Sequence, residues 1–218
     1  MGRNSATIAL AATASPPSLV ARRMDHIADP NQFIHVRTVL SMVVSLALAR
    51  LLSGLARFAQ HPQRLKIYGV HMLWVAFMAV MLLHFWWWEF ALSRVPEWHF
   101  GSFAFVVGYS AVLYLLSAIL FPDDIREYTG YRDYFMSRRR WFFGFLALVF
   151  LLDVIDTRLK GIGYLHAQGI EYGLRTTGGV LLCGVAMKVR DPRFHWALAI
   201  GMLAYEVSWI LRLYDVLA

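Results

Sequence analysis

From Ile67 to Trp88 the chain runs for 22 residues without a Lys, Arg, Asp or Glu, and only His71 and His84 interrupt its apolar character. A hydrocarbon core of about 30 Å takes about 20 helical residues to cross. Five further stretches repeat the pattern, at about 36–58, 100–121, 141–157, 173–189 and 194–214. Hydrophobic residues make up 59% of the chain and charged residues 16%, against about 45–50% and about 25% in soluble domains. So few polar residues cannot cover a soluble core of this size. The fold expected is all-α, an integral-membrane bundle of about six transmembrane helices. Short connections leave room for one domain over residues 31–218. Residues 1–30, rich in Ala, Ser and Pro, read as a tail, either disordered or upstream of a start at Met24.

Charge placement suggests how such a bundle sits. Pro122-Asp123-Asp124 is a stop-and-restart signal. The charged stretch 123–140 that follows, with Tyr128, Tyr131, Tyr134 and Phe135, reads as an interfacial helix between spans three and four. Counted from Met24, eleven Lys and Arg fall in the loops on one side and six on the other, nine with Arg3, Arg22 and Arg23. The richer side is expected in the cytoplasm. The net charge of +7 is thereby explained by topology and lipid headgroups. Aromatic and basic residues are not interleaved as in single-strand binders, so nucleic acid is not an expected partner. The bilayer is, together with a second copy or another membrane protein.

Ionisable residues inside spans are costly in lipid, about 2.5–3.5 kcal/mol each at mid-bilayer, and usually face the bundle with a partner. Arg50 lies about 12 Å from the inner end of the first span, and Glu206 and Asp153 about 18 Å into the sixth and fourth. Asp156 and Arg212 fall nearer the outer boundary. The expectation is an intramembrane polar column of Arg50, Glu206, Asp153, Asp156 and Arg212, in which Arg50 and Glu206 pair. The plainer reading is a set of structural ion pairs fixing helix register. His84, Trp87 and Glu89 close the second span and are expected as outer-rim contacts. Trp86, Trp87 and Trp88 fan across about 200° of helix, so at least one ring should face protein.

Metal and cofactor chemistry finds little footing. His71 and His84 lie about 140° apart around one helix and about 20 Å apart along it, so they cannot ligate one haem iron together. No His-x-x-x-His or Glu-x-x-His pairing suits zinc. The single cysteine, Cys183, excludes an intrachain disulfide and a Cys-based cluster. No cofactor or metal is expected. Gly-x-Ser-x-Gly, Walker and Gly-x-Gly-x-x-Gly sequences are absent, and Asp153-x-x-Asp156 stands without the further acids that a Mg²⁺-dependent lipid transferase uses. An enzyme is therefore the third-ranked reading.

Five stretches carry a resemblance: Leu48-Ala-Arg-Leu-Leu-Ser-Gly-Leu-Ala-Arg57, His71-Met-Leu-Trp74, His84-Phe-Trp-Trp-Trp-Glu89, Tyr114-Leu-Leu-Ser-Ala-Ile-Leu-Phe-Pro122 and Arg139-Arg-Trp-Phe-Phe-Gly144. In this order, over residues 36–160, they resemble a widespread group of small bacterial polytopic membrane proteins. The resemblance implies a bacterial cytoplasmic (inner) membrane protein and brings no activity, substrate or site residue. Two functions of different class follow from the residues. One is a conduit or carrier for a proton, ion or small solute through the Arg/Glu/Asp interior. The other is a non-transporting scaffold, partner subunit or sensor. A wet, charged cavity separates the first from the second, which requires a dry interior.

Overall fold

The computed structural model describes residues 30–61 and 66–214. The expected tail, Pro30 apart, and most of the 61–64 turn lie outside the described residues. The described chain is helical throughout, with no strand. In order come α1 (Pro30–Gln60), α2 (Gly69–Trp88), α3 (Phe100–Ala118), α4 (Tyr131–Leu159), α5 (Ile162–Ala167), α6 (Gly169–Lys188) and α7 (Pro192–Tyr214). Among the described residues, four helices are long and apolar enough to cross a membrane: Gln32–Gln60, Gly69–Arg94, Phe100–Ala118 and Pro192–Tyr214. The second runs through α2 into a 3₁₀ segment, Glu89–Arg94. On their outer faces Leu46, Leu52 and Leu211 are 60–64% exposed, a surface suited to lipid rather than water.

α2 sits at the centre of the bundle. It is apolar nearly all round, with Trp74, Phe77, Met78 and Leu82 almost fully inaccessible and Leu83 and Trp87 on an exposed face. α7 packs along α2, α1 along α3, and α6 along α4. α6 and α7 are sequence neighbours, yet each leans on a different helix.

No separate interfacial helix forms over 123–140. A 3₁₀ turn, Ile125–Glu127, leads to Gly130 at φ 148°, and from Tyr131 the helix runs unbroken to Leu159. No Pro interrupts that stretch. Tyr131, Tyr134 and Phe135 are buried against the bundle, so the aromatic side that reads as headgroup-facing is a packing face.

One end of the bundle is closed by a clasp that α1 forms around the end of α3. Arg50 donates to Asp123 Oδ1 at 2.5 Å and to the Phe121 carbonyl at 3.0 Å, and Arg57 donates to the Pro122 carbonyl at 3.0 Å. The Arg50 hydrogen bond and charge hold the Asp123 carboxyl below the usual carboxylate range. Between the two arginines lies Gly54, where a Cβ would stand 2.3 Å from the ring of Phe121. His71 Nε2 meets the Leu120 carbonyl at 2.7 Å, satisfying an acceptor that the ending helix leaves open. His195 does the same for Val189 at 3.0 Å, beyond the end of α6.

Gly54→Ala should therefore destabilise the protein by about 1–3 kcal/mol, since Phe121 is buried and has no free space to move into. Gly108→Ala, where a Cβ meets nothing, should be neutral or stabilising by up to about 1 kcal/mol. Thermal unfolding in detergent compares the two. Equal melting temperatures would remove the clasp from the account.

Candidate functional site

At the opposite end, four helices bring charged side chains inward. Arg175, from the second turn of α6, donates through Nη2 to Glu206 Oε2 of α7 at 2.9 Å, and its Nη1 lies 3.8 Å from Asp153 Oδ2 of α4. The other oxygen of Glu206 meets Nδ1 of His84, from α2, at 2.6 Å, with the imidazole N–H donating. Tyr172 donates to Asp153 at 2.9 Å and lies 2.9 Å from the Thr157 hydroxyl. The guanidinium of Arg175 also sits over the rings of Trp209 and Phe150, at 5.4 and 5.8 Å. Guanidinium is weakly hydrated and stacks on aromatic faces, which suits Arg to this near-dry setting better than Lys.

A second set lies nearer the bundle's end. Lys160, whose side chain is fully buried, pairs with Asp156 one turn earlier and with Glu89 at 3.1 Å. Trp88 covers the ammonium at 5.1 Å from its ring centre. At the exposed rim Arg212 forms a forked pair with Glu171 at 2.6 and 2.8 Å, and Tyr205 donates to the same carboxylate at 3.2 Å. A cavity of about 30 Å³ lies among His84, Tyr109, Asp153, Arg175 and Glu206, room for about one water.

Several sequence expectations need correction here. Arg50 does not reach Glu206; it is held at the other end by Asp123 and the Phe121 carbonyl. Arg175 takes its place beside Glu206 and Asp153. The expectation erred because the Gly-rich stretch before Gly173 reads as loop, whereas α6 begins at Gly169. His84 and Glu89 are buried rather than at the rim: His84 faces Glu206 of α7, and Glu89, which opens the 3₁₀ segment after Trp88, meets Lys160. Trp87 does stand at the surface, 44% exposed, against Phe90 and Tyr214. Of the three tryptophans, Trp88 is the buried one. Asp156 pairs with Lys160, and Arg212 with Glu171.

Nor do the charges run through the bundle. Arg175, Asp153 and Glu206 lie six to eight residues from the helix ends on this side, or within about 12 Å of it. Beneath them Trp74 packs edge-on against Phe77, Phe142 and Phe143 at 5.1–5.3 Å between ring centres. These four rings, from α2 and α4, are almost fully buried. Among the described residues, the two interior sets hold four carboxylates (Glu89, Asp153, Asp156, Glu206) and two cations, Lys160 and Arg175, while the rim pair Glu171–Arg212 balances itself. Nε2 of His84 is buried without a hydrogen-bond partner among the described residues. Burial of unbalanced charge is costly, so the arrangement favours taking up positive charge, as a proton or a bound cation.

No protein-family model, curated protein or solved structure matches the chain, so the resemblance over residues 36–160 rests on its five stretches. Four of those stretches, all but 84–89, meet in space. Arg50, Gly54 and Arg57 hold Phe121 and Pro122, His71 holds Leu120, and Trp74 packs on Phe142 and Phe143.

Arg175→Met strands two buried carboxylates and should cost about 3–5 kcal/mol. Arg50→Met leaves Asp123, which is exposed, free to hydrate and should cost much less. Unfolding measured in matched detergent gives the order, and a larger loss for Arg50→Met would contradict the assignment of Arg175 as the interior cation.

Proposed function

We propose that this protein is a multi-pass carrier of the bacterial inner membrane that binds a proton or small cation at the Glu206–Arg175–Asp153–His84 cluster. The observation that carries the reading is the excess of inward-facing carboxylates over cations on one side of a buried aromatic layer. A site open to one face and sealed from the other is what a carrier needs and an open pore lacks. α4 and α6 serve as the fifth and sixth spans in this reading. Their charges Asp153, Asp156 and Arg175 turn inward to partners, so these helices have low hydropathy without offering charge to lipid. The loops around 57–66, 126–140 and 188–193 face the cytoplasm by their Lys and Arg content, which sets the ionic cluster in the outer half.

The same aromatic layer supports a second reading, a non-transporting partner subunit or sensor whose charges only fix helix register. Current recorded from proteoliposomes on a solid-supported membrane separates the two. On the carrier reading a pH jump, Na⁺ or tetramethylammonium evokes a transient current that Glu206→Gln reduces to the protein-free baseline and Arg212→Gln leaves in place. Folded protein silent to all three would leave the partner reading standing.

A further inference from the structure

Between α6 and α7 the bundle is open. Because α6 packs on α4 and α7 on α2, a groove of about 620 Å³ separates these sequence-adjacent helices, within the range of sites for small ligands. Its walls are apolar: Leu174, Gly178 and Leu182 from α6, Ala197, Gly201 and Met202 from α7. The floor is Phe150, packed so close to Gly179 that a Cβ there would meet the ring at 2.7 Å. From Glu171 to Leu182 the groove is about 17 Å long at the helical rise. All its charged residues, Glu171, Arg175 and Glu206, line one end. A long apolar slot with charge at one end has the shape of a single alkyl chain carrying a headgroup.

The sign of that headgroup follows from the neighbours. Arg175 is engaged by Glu206 and Asp153, and the two oxygens of Glu206 by Arg175 and His84; two carboxylates against one guanidinium leave the surplus charge negative. Glu171 is balanced by Arg212. The cluster behind the groove holds more carboxylate than cation, and Glu206 and Arg175 line both the groove and the small inner cavity. We propose that the groove binds a single-chain amphiphile with a cationic ammonium headgroup, entering sideways from the bilayer with its charge beside Glu206. This assignment rests on the acidic excess that underlies the carrier reading, but requires binding alone and no transport.

Gly178 and Gly201 make the groove testable without damage to the core, because a Cβ at either meets nothing within 4 Å. Native mass spectrometry of the full chain, titrated with dodecyltrimethylammonium and, separately, dodecyl sulfate, reads the binding. One ammonium per chain is expected, bound about tenfold or more tighter than the sulfate, a difference of about 1.4 kcal/mol or more. Gly178→Leu should weaken the ammonium about tenfold or more. Gly184→Leu, on the same helix, outside the groove and equally free of clashes, should leave it unchanged. Sulfate binding as tightly as ammonium, or Gly178→Leu binding like the parent, overturns the proposal. Ammonium binding that persists in protein giving no current upholds the groove and sinks the carrier reading alone.

Discussion

The buried guanidinium of Arg175 is the interaction on which this half of the molecule depends. It is the point where α4, α6 and α7 share a charge, and through Glu206 it extends to His84 on the central helix α2. Removing an ion from water costs several kcal/mol even after relaxation, and the attraction of its partners repays this only when geometry and remaining hydrogen bonds are good. Here the guanidinium has two carboxylates and two aromatic faces. The outcome is register: α6 and α7, which scarcely pack on each other, are tied at one height through Arg175 and Glu206. That tie leaves the space between them as a groove instead of a collapsed seam.

The other half is built from different chemistry. Its charges sit at the surface and serve backbone acceptors. Arg50, Arg57 and His71 all converge on the residues after α3, where a helix has run out of donors for its last carbonyls. Gly54 lets Phe121 approach the α1 backbone, a close fit of the kind membrane helices use small residues to achieve. Between the two halves, Trp74, Phe142 and Phe143 pack edge to face and are almost fully buried. An interior acidic at one end and aromatic at the middle is an asymmetric environment, and it underlies the choice of a carrier over a pore.

The helical class and the apolar helices were legible in the sequence because bilayer thickness imposes a length on uncharged runs, and α2 shows it most plainly. Glu206 was legible as an inward-facing group because its surroundings in α7 leave a charge no other stable direction. Its partner was not. Arg175 stands close to a run of glycines, and glycine marks loops and also tolerates helix starts, so the extra turn from Gly169 was invisible and Arg175, two residues into the expected span of 173–189, read as lying at its end rather than in the interior. Lys160 was hidden the same way, although Asp156 four residues earlier on a helix is a signal that could have found it. The inward turn of Glu89 follows from a 3₁₀ segment that no periodicity announces. Arg50 was misjudged because depth along a helix does not fix direction around it, and its reach ended at a carbonyl that only tertiary packing supplies.

The central claim is that Arg175 and Glu206 stabilise each other in a low-dielectric interior, and a double-mutant cycle on unfolding free energy tests it most directly. With Arg175→Met and Glu206→Gln made singly and together, the account predicts that the double variant is more stable than Arg175→Met alone, with a coupling of about 1–3 kcal/mol. Strictly additive losses, with the double variant less stable than either single one, would contradict it.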